Sequence, residues 1–144
     1  MTWLIQAAAI LGVCSAVADV RRRSIPNWLT ASGVVAGLAG NSVAAGWLGL
    51  ALATAGAAVG FVLLLPLQMK GTMGGGDVKL MAAFGALLGP AGILLTGLLA
   101  AVAGGVWTAL WLVLRPRSRA VPYAPAIVLG AWLSCLGGRA IGGA

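Results

Sequence analysis

Charged residues are scarce in this sequence, and acidic residues are the scarcest of all. Only 8% of the 144 residues are charged, where a soluble domain has roughly a quarter. Histidine is absent, and two acids, Asp19 and Asp77, stand against nine lysines and arginines, for a net charge of +7. Apolar residues make up 61% of the chain and the mean hydropathy is +1.06. This composition excludes an ordinary soluble domain and a disordered chain.

The few basic residues lie between long apolar runs rather than along one polar face. This distribution favours insertion into a lipid bilayer over binding to nucleic acid. Cys14 and Cys135 each lie within an apolar run, where we expect small core residues. No CxxC pair and no histidine accompany them, so we expect neither a metal site nor another cofactor.

The apolar residues form six runs. A helix of about 20 residues crosses about 30 Å of hydrocarbon, and charge, proline and glycine mark the interruptions. Residues 1–144 are therefore predicted to form a single membrane-embedded all-α domain, a polytopic membrane protein with about six transmembrane helices. The predicted spans cover residues 3–18, 24–43, 47–67, 80–89, 90–114 and 122–136.

The interruptions differ in kind. An uncharged loop is expected around residues 41–46, and Gly89-Pro90 is the only strong turn signal in the apolar stretch 80–114. The segment from Gly71 to Asp77 is too rich in glycine to predict a stable helix. The first run resembles a signal peptide in length, but its basic residues follow the apolar run instead of preceding it, so we expect a true span.

The basic residues predict the orientation of the spans. Loops that carry lysine and arginine face the cytoplasm, and all the bases but Arg139 fall on one side of the predicted topology. Both termini are therefore expected on the non-cytoplasmic side. The residues assigned to the cytoplasmic side are Arg21, Arg22, Arg23, Lys70, Lys79, Arg115, Arg117 and Arg119.

This topology places both acids at the cytoplasmic side, Asp19 at the end of the first span and Asp77 at the start of the fourth. From residue 77 to residue 89 a helix rises about 18 Å, against about 30 Å of hydrocarbon. Asp77 is then expected roughly 10 Å below the inner interface, unless the bilayer is thin there or the span stops short. Alone, Asp19 could be an interfacial ion pair and Asp77 a helix cap. As a pair in a chain without other acids, they are candidates for function.

Two carboxyl groups held close together share a proton, so that one acts as an acid and the other as a base. Such a pair can activate a water and polarise a peptide carbonyl, which is the chemistry of an aspartic protease. Gly74, Gly75 and Gly76 would let a substrate backbone approach the carboxyl closely, although a flexible hinge is the plainer explanation of a glycine triplet.

Three motifs carry a resemblance to a known family. Residues Gly74 to Asp77 fit GxGD, and Lys79 extends the match to GxGDxK. Asp19 is followed by basic residues and by Ile25-Pro26-Asn27, and residues 122–126 read Pro-Tyr-Ala-Pro-Ala. The sequence resembles the type IV prepilin peptidases, which are membrane aspartic proteases. It looks like the minimal, peptidase-only form associated with Tad/Flp-type pili.

The resemblance implies that Asp19 and Asp77 are the catalytic pair and that a prepilin-like precursor is the substrate. The cut would remove a short basic leader at the cytoplasmic face of the inner membrane, where the enzyme would be a multi-pass protein. Gly74, Gly75, Gly76 and Lys79 would belong to the active-site or substrate-binding segment. Bifunctional members also N-methylate the new terminus through an N-terminal region with a cysteine-containing loop, which this sequence lacks, so methyltransferase activity is not expected.

Two other functions fit the composition. A small proton- or cation-coupled transporter would use the two acids as its ion site, although such sites tend to lie near the midplane. A structural subunit would tolerate asparagine at both positions. Lys79 is two residues from Asp77 and therefore lies on another side of the helix. It could contact an acidic substrate group or a lipid headgroup, or its side chain could simply snorkel to the interface.

Overall fold

The computed structural model describes residues 2–22, 25–71, 73–114 and 124–142. These ranges contain four helices, α1 (Thr2–Arg22), α2 (Asn27–Met69), α3 (Gly75–Leu114) and α4 (Ala124–Gly142), and no strand. The all-α prediction is thus confirmed for them. Arg23, Ser24, the basic cluster 115–119 and Pro122-Tyr123 lie outside the described residues.

Three of the described helices are long and apolar enough to cross a membrane, over Trp3–Arg21, Asn27–Met69 and Gly75–Leu110. The fourth contains a shorter apolar stretch, Pro125–Cys135. Large apolar side chains also cover the outside of the molecule, including Ile10, Val35, Val43, Leu48, Leu98 and Val102. An apolar exterior of this kind suits a lipid environment. The number of crossings and the side of each terminus stay predictions.

Both long helices are broken near their middle. The backbone of α2 leaves helical geometry at Ala45 (φ −137°, ψ 20°) and Gly46 (φ 57°, ψ −138°), and that of α3 does so at Gly89 (φ 73°, ψ −178°). The positive φ values at the two glycines explain why residues without a Cβ stand there. The breaks divide the helices into α2a (27–44) and α2b (47–69), and into α3a (75–88) and α3b (90–114). The turn predicted at Gly89-Pro90 is confirmed, whereas the loop predicted around 41–46 is helical up to residue 44.

Contacts across the breaks indicate that each long helix folds back on itself. Gly37 of α2a packs on Ala86, while Gly56 of α2b packs on the carbonyl of the adjacent Gly85. A straight helix would separate residues 37 and 56 by about 28 Å. Likewise, Met81 Cε lies 3.2 Å from the Cβ position of Gly97, although a straight helix would place residues 81 and 97 about 24 Å apart.

One side chain compensates for the break in α3. Pro90 has no N–H, so the Ala86 carbonyl lacks the donor that an intact helix would provide four residues later. Asn41 supplies it, since its Nδ2 donates to the Ala86 carbonyl at 2.9 Å. The same group lies 3.4 Å from the Leu87 carbonyl. An amide of α2a thus satisfies the end of α3a, which explains a polar residue inside an apolar run.

Helix α3a is the centre of the packing. Its residues Val78, Leu80, Met81, Ala83 and Phe84 are completely buried. The surrounding core adds side chains from the other helices, including Leu4, Ala8, Leu11, Leu29, Ile93, Ile127 and Ala131. Apart from the exposed Lys79, the residues that follow Asp77 are enclosed by neighbouring helices, which holds the first turn of α3 in a defined position. By contrast, Cys14, expected in the core, lies exposed on α1.

Candidate active site

A cavity of about 240 Å³ lies where the end of α1, the start of α2 and the start of α3 meet. It therefore brings together three parts of the chain that are far apart in sequence. Both acids of the sequence are in its lining. The lining residues are Asp19, Ile25, Asn27, Gly74, Gly75, Gly76 and Asp77.

Asp77 lies in the first turn of α3, and its side chain is buried. Its backbone N–H donates to the Gly74 carbonyl at 3.1 Å. A carboxylate near a helix N-terminus is stabilised by the backbone N–H groups that lack partners in that turn. The surrounding apolar helices bury the Asp77 carboxyl, and the N–H groups of the helix terminus offset part of the free-energy cost of burying it.

The predicted absence of helix between Gly71 and Asp77 is wrong for the last three residues, because α3 begins at Gly75. Glycine costs about 1 kcal/mol in a helix interior. The buried residues that follow, Val78 and Leu80 among them, anchor the helix strongly enough to include the glycines in its first turn. Packing overrides local propensity here.

Asp19 lies near the end of α1 and is half-buried. It lines the same cavity as Asp77 and lies close enough to interact with it electrostatically. Two neighbouring carboxyls in a cavity large enough for water can divide the roles of acid and base. The structure therefore brings together the two residues that were predicted to form the catalytic pair.

The three glycines of the predicted site have different surroundings. A Cβ on Gly74 would lie 3.7 Å from Asp77 Oδ2, which is an ordinary contact. On Gly75 it would lie 3.0 Å from Gln68 Nε2, and on Gly76 it would lie 3.2 Å from Ile25 Cβ. Gly75 and Gly76 thus allow the first turn of α3 to pack closely on its neighbours, while Gly74 is exposed beside the carboxyl.

Lys79 is not in the lining of this cavity. It borders a second cavity, of about 310 Å³, whose other lining residues are Asn27, Thr30, Ala31, Val34, Phe61 and Ala82. Its ammonium donates to Asn27 Oδ1 at 2.9 Å. The different direction expected for Lys79 is confirmed, and its predicted place in the substrate-binding segment stays a prediction.

Sequence reasoning missed two lining residues, Ile25 and Asn27. In the sequence they belong to the second predicted span and to a family motif, with no role in the site assigned to them. Their signal is the Ile-Pro-Asn motif that follows the first acid in the chain. Gln68, beside Gly75, lies at the end of an apolar run and has no comparable signal.

Comparisons of the sequence with known proteins identify a family for this chain. The model of the type IV leader peptidase family matches residues 6–109, a range that includes both aspartates and the glycine triplet. A prepilin leader peptidase/N-methyltransferase of Xanthomonas campestris pv. campestris is 36% identical over 124 residues, covering 80% of this chain and 43% of that protein. A protein of the same name from Aeromonas salmonicida is 29% identical over 150 residues, covering 98% of this chain and 49% of that protein.

This chain spans about half the length of the relatives it matches. No solved structure matches it significantly. The family model nevertheless covers well over half of the sequence, and its range contains every residue that lines the cavity with the two aspartates. The chain belongs to the type IV leader peptidase family.

Proposed function

We propose that this protein is an aspartic endopeptidase that removes the leader of prepilin-like precursors, with Asp19 and Asp77 as its catalytic pair. One observation carries the proposal. The two acids of the sequence are 58 positions apart, since 77 − 19 = 58, and they line one cavity. Acidic residues that served only solubility would be expected at separate, exposed positions. Two acids together in a partly buried site are costly, which favours a functional role.

The two carboxyl groups are expected to act in opposite protonation states. The ionised carboxylate accepts a proton from a water as the water oxygen attacks the scissile carbonyl carbon. The protonated partner donates its proton to the carbonyl oxygen, which gives a tetrahedral diol. Collapse of the diol transfers a proton to the leaving nitrogen and breaks the C–N bond. The products are a leader with a new carboxyl terminus and a pilin with a free amino terminus.

The substrate class follows from the family and from the position of the cavity. Relatives are named as prepilin leader peptidases, and the cavity lies at the ends of helices that are apolar enough for a bilayer. A precursor with an apolar helix in the bilayer would reach such a site with the residues that precede that helix. We propose a multi-pass protein of the inner membrane that cuts at the cytoplasmic face, where the basic residues of the sequence concentrate.

The finer identity of the substrate is part of the proposal. The Tad/Flp-type form fits a chain that resembles the peptidase portion of the family, and Flp-type prepilins are the proposed precursors. N-methylation of the product is not part of the proposal.

The transporter alternative is not favoured by the family match. The cavity also lies at helix ends rather than midway along the bundle, whereas coupled transporters tend to hold ions near the midplane. A transporter would lose ion flux in the aspartate variants while leaving a prepilin uncut in every sample, including the wild type.

The test is to remove one carboxylate at a time. Asp19→Asn and Asp77→Asn are each expected to lower cleavage of a co-expressed Flp-type prepilin by about 10²-fold or more. Cleavage is read from the mobility of the pilin on immunoblots, and membrane fractions report accumulation of the enzyme. Continued cleavage in either single variant, at normal enzyme levels, would rule out the pair.

Ser42→Ala is a matched control. Ser42 lies on α2a, and its hydroxyl donates to the Ala39 carbonyl of its own helix at 2.8 Å. The substitution removes one polar group without reaching the cavity. We expect wild-type cleavage and accumulation.

A further inference from the structure

Asn27 lies between the two cavities. It lines the catalytic cavity together with Asp19 and Asp77, and it lines the second cavity together with Lys79. Neither the family resemblance nor the proposed mechanism assigns a role to the Asn27 side chain. Its position between the two cavities suggests one.

The contact with Lys79 decides how the Asn27 carboxamide is oriented. A lysine ammonium is only a donor, so the atom that meets it must be the amide oxygen. Lys79 Nζ lies 2.9 Å from Asn27 Oδ1. Because the amide group is planar and its oxygen and nitrogen diverge, Nδ2 is turned away from Lys79. Lys79 borders only the second cavity of the two, whereas Asn27 lines both, and the contact with Lys79 involves the oxygen of its amide.

The catalytic cavity has few side-chain donors for a peptide. Among the described residues that line it, three are glycines, Ile25 is apolar and the two aspartates carry carboxyl groups. Asn27 is the one lining residue of this set with a side-chain N–H. An extended peptide presents backbone carbonyls on both sides of the scissile bond, and a carbonyl left without a donor weakens binding. The proposed mechanism uses the proton of the aspartate pair at the scissile carbonyl itself.

We infer that Asn27 is a substrate-binding residue whose Nδ2 donates a hydrogen bond to a backbone carbonyl of the precursor, and that Lys79 positions it by holding Oδ1. The inference rests on the proposed function, because it needs a peptide in the cavity. It assigns Lys79 to the orientation of a neutral donor rather than to direct contact with an acidic group. Asn27 is exposed, so substitutions there are expected to leave the fold intact.

The test compares two Asn27 variants in cleavage of purified prepilin by the purified full chain in detergent micelles. Asn27→Asp keeps an oxygen for Lys79 but removes the N–H donor. Asn27→Leu is neutral and removes both groups at similar volume. Each is expected to lower kcat/KM about tenfold, mainly through a higher KM, since the hydrogen bond is made in the ground state as well as in the transition state.

Lys79 variants test the positioning role. Lys79→Met leaves the amide free to turn over, so that about half of the molecules present the donor and kcat/KM falls about twofold. Lys79→Arg restores a donor to Oδ1 and is expected to restore wild-type KM. Ser32→Ala is the control, because Ser32 is exposed on the same helix, lines neither cavity and donates to the Leu29 carbonyl at 2.8 Å.

A purely structural role for the contact makes the opposite prediction. Asn27→Asp would then pair with Lys79 as an ion pair and match or exceed the wild type in cleavage. Wild-type KM in Asn27→Asp, or equal impairment of Lys79→Arg and Lys79→Met, would overturn the inference. Failure of the proposed function is separate, since it appears as an uncut precursor with the wild-type enzyme or as continued cleavage in the aspartate variants.

Discussion

Gly37→Ala tests whether the close packing of α2a on α3a positions Asp77, one of the two proposed catalytic residues. A Cβ on Gly37 would lie 2.6 Å from the Ala86 carbonyl carbon and 2.8 Å from its oxygen, whereas ordinary contacts begin at 3.4 Å. The obstructing atoms are backbone, so no side chain can rotate away. The two helices must separate by about 0.8 Å to lengthen this contact from 2.6 Å to the 3.4 Å of an ordinary one.

That displacement acts on the helix that carries Asp77. Residue 86 lies nine positions beyond residue 77, or about 13 Å along the helix, and the buried α3a is expected to move as a unit. Asp19 and Asn27 belong to other helices and need not follow. Because a misplacement of about 1 Å can cost roughly 10²-fold in rate, we expect a loss of about 10- to 100-fold in kcat/KM. Overpacking also costs about 1–3 kcal/mol of stability.

The assay is cleavage of prepilin in detergent micelles, with thermal unfolding followed by tryptophan fluorescence. Gly105→Ala is the matched control, because nothing lies within 4 Å of a Cβ at that position. It should retain activity and be equally or slightly more stable, since alanine is the better helix former. Full activity and unchanged stability in Gly37→Ala, or equal damage in Gly105→Ala, would refute the packing argument.

Three further substitutions probe the site and its support. Asp77→Glu should abolish cleavage at normal accumulation in the membrane, because the extra methylene moves the carboxyl by about 1 Å or more; retained cleavage would contradict the acid–base geometry. Asn41→Leu removes the donor to the Ala86 carbonyl and should lower the unfolding temperature by an amount equivalent to about 1–2 kcal/mol, whereas an unchanged unfolding temperature would mean that this bond contributes nothing. Gly76→Val should impair cleavage, because even a Cβ there would lie 3.2 Å from Ile25 Cβ; wild-type cleavage by purified Gly76→Val would count against the tight first turn of α3.

The proposed catalytic pair illustrates how far local reasoning reaches. The scarcity of acids singled out Asp19 and Asp77, and the motif around Asp77 suggested the chemistry. Neither signal contains a distance. Only the packing of α1 and α2 around α3a places both side chains in one cavity, because contacts between residues so far apart in sequence depend on the whole arrangement of helices.

The glycine segment shows where local reasoning fails. Gly71 to Asp77 has poor helix propensity, yet α3 begins at Gly75. The cost of a few glycines is about 1 kcal/mol each, and burial of residues such as Val78 and Leu80 outweighs it. Gly89 behaves as predicted, since its positive φ and the missing N–H of Pro90 are local properties of the chain.

By itself, the sequence determined the all-α class, the apolar helices, the break at Gly89-Pro90 and the identity of the two acids. These properties depend on composition and on neighbours within a few positions. The tertiary structure decided that Asn27 lines both cavities, that Lys79 contacts its amide oxygen and does not line the cavity of the two aspartates, and that Asn41 donates to the carbonyl that Pro90 leaves without a donor. Those contacts join residues more than 40 positions apart, and side-chain hydrogen bonds at that separation exist only once the helices have packed.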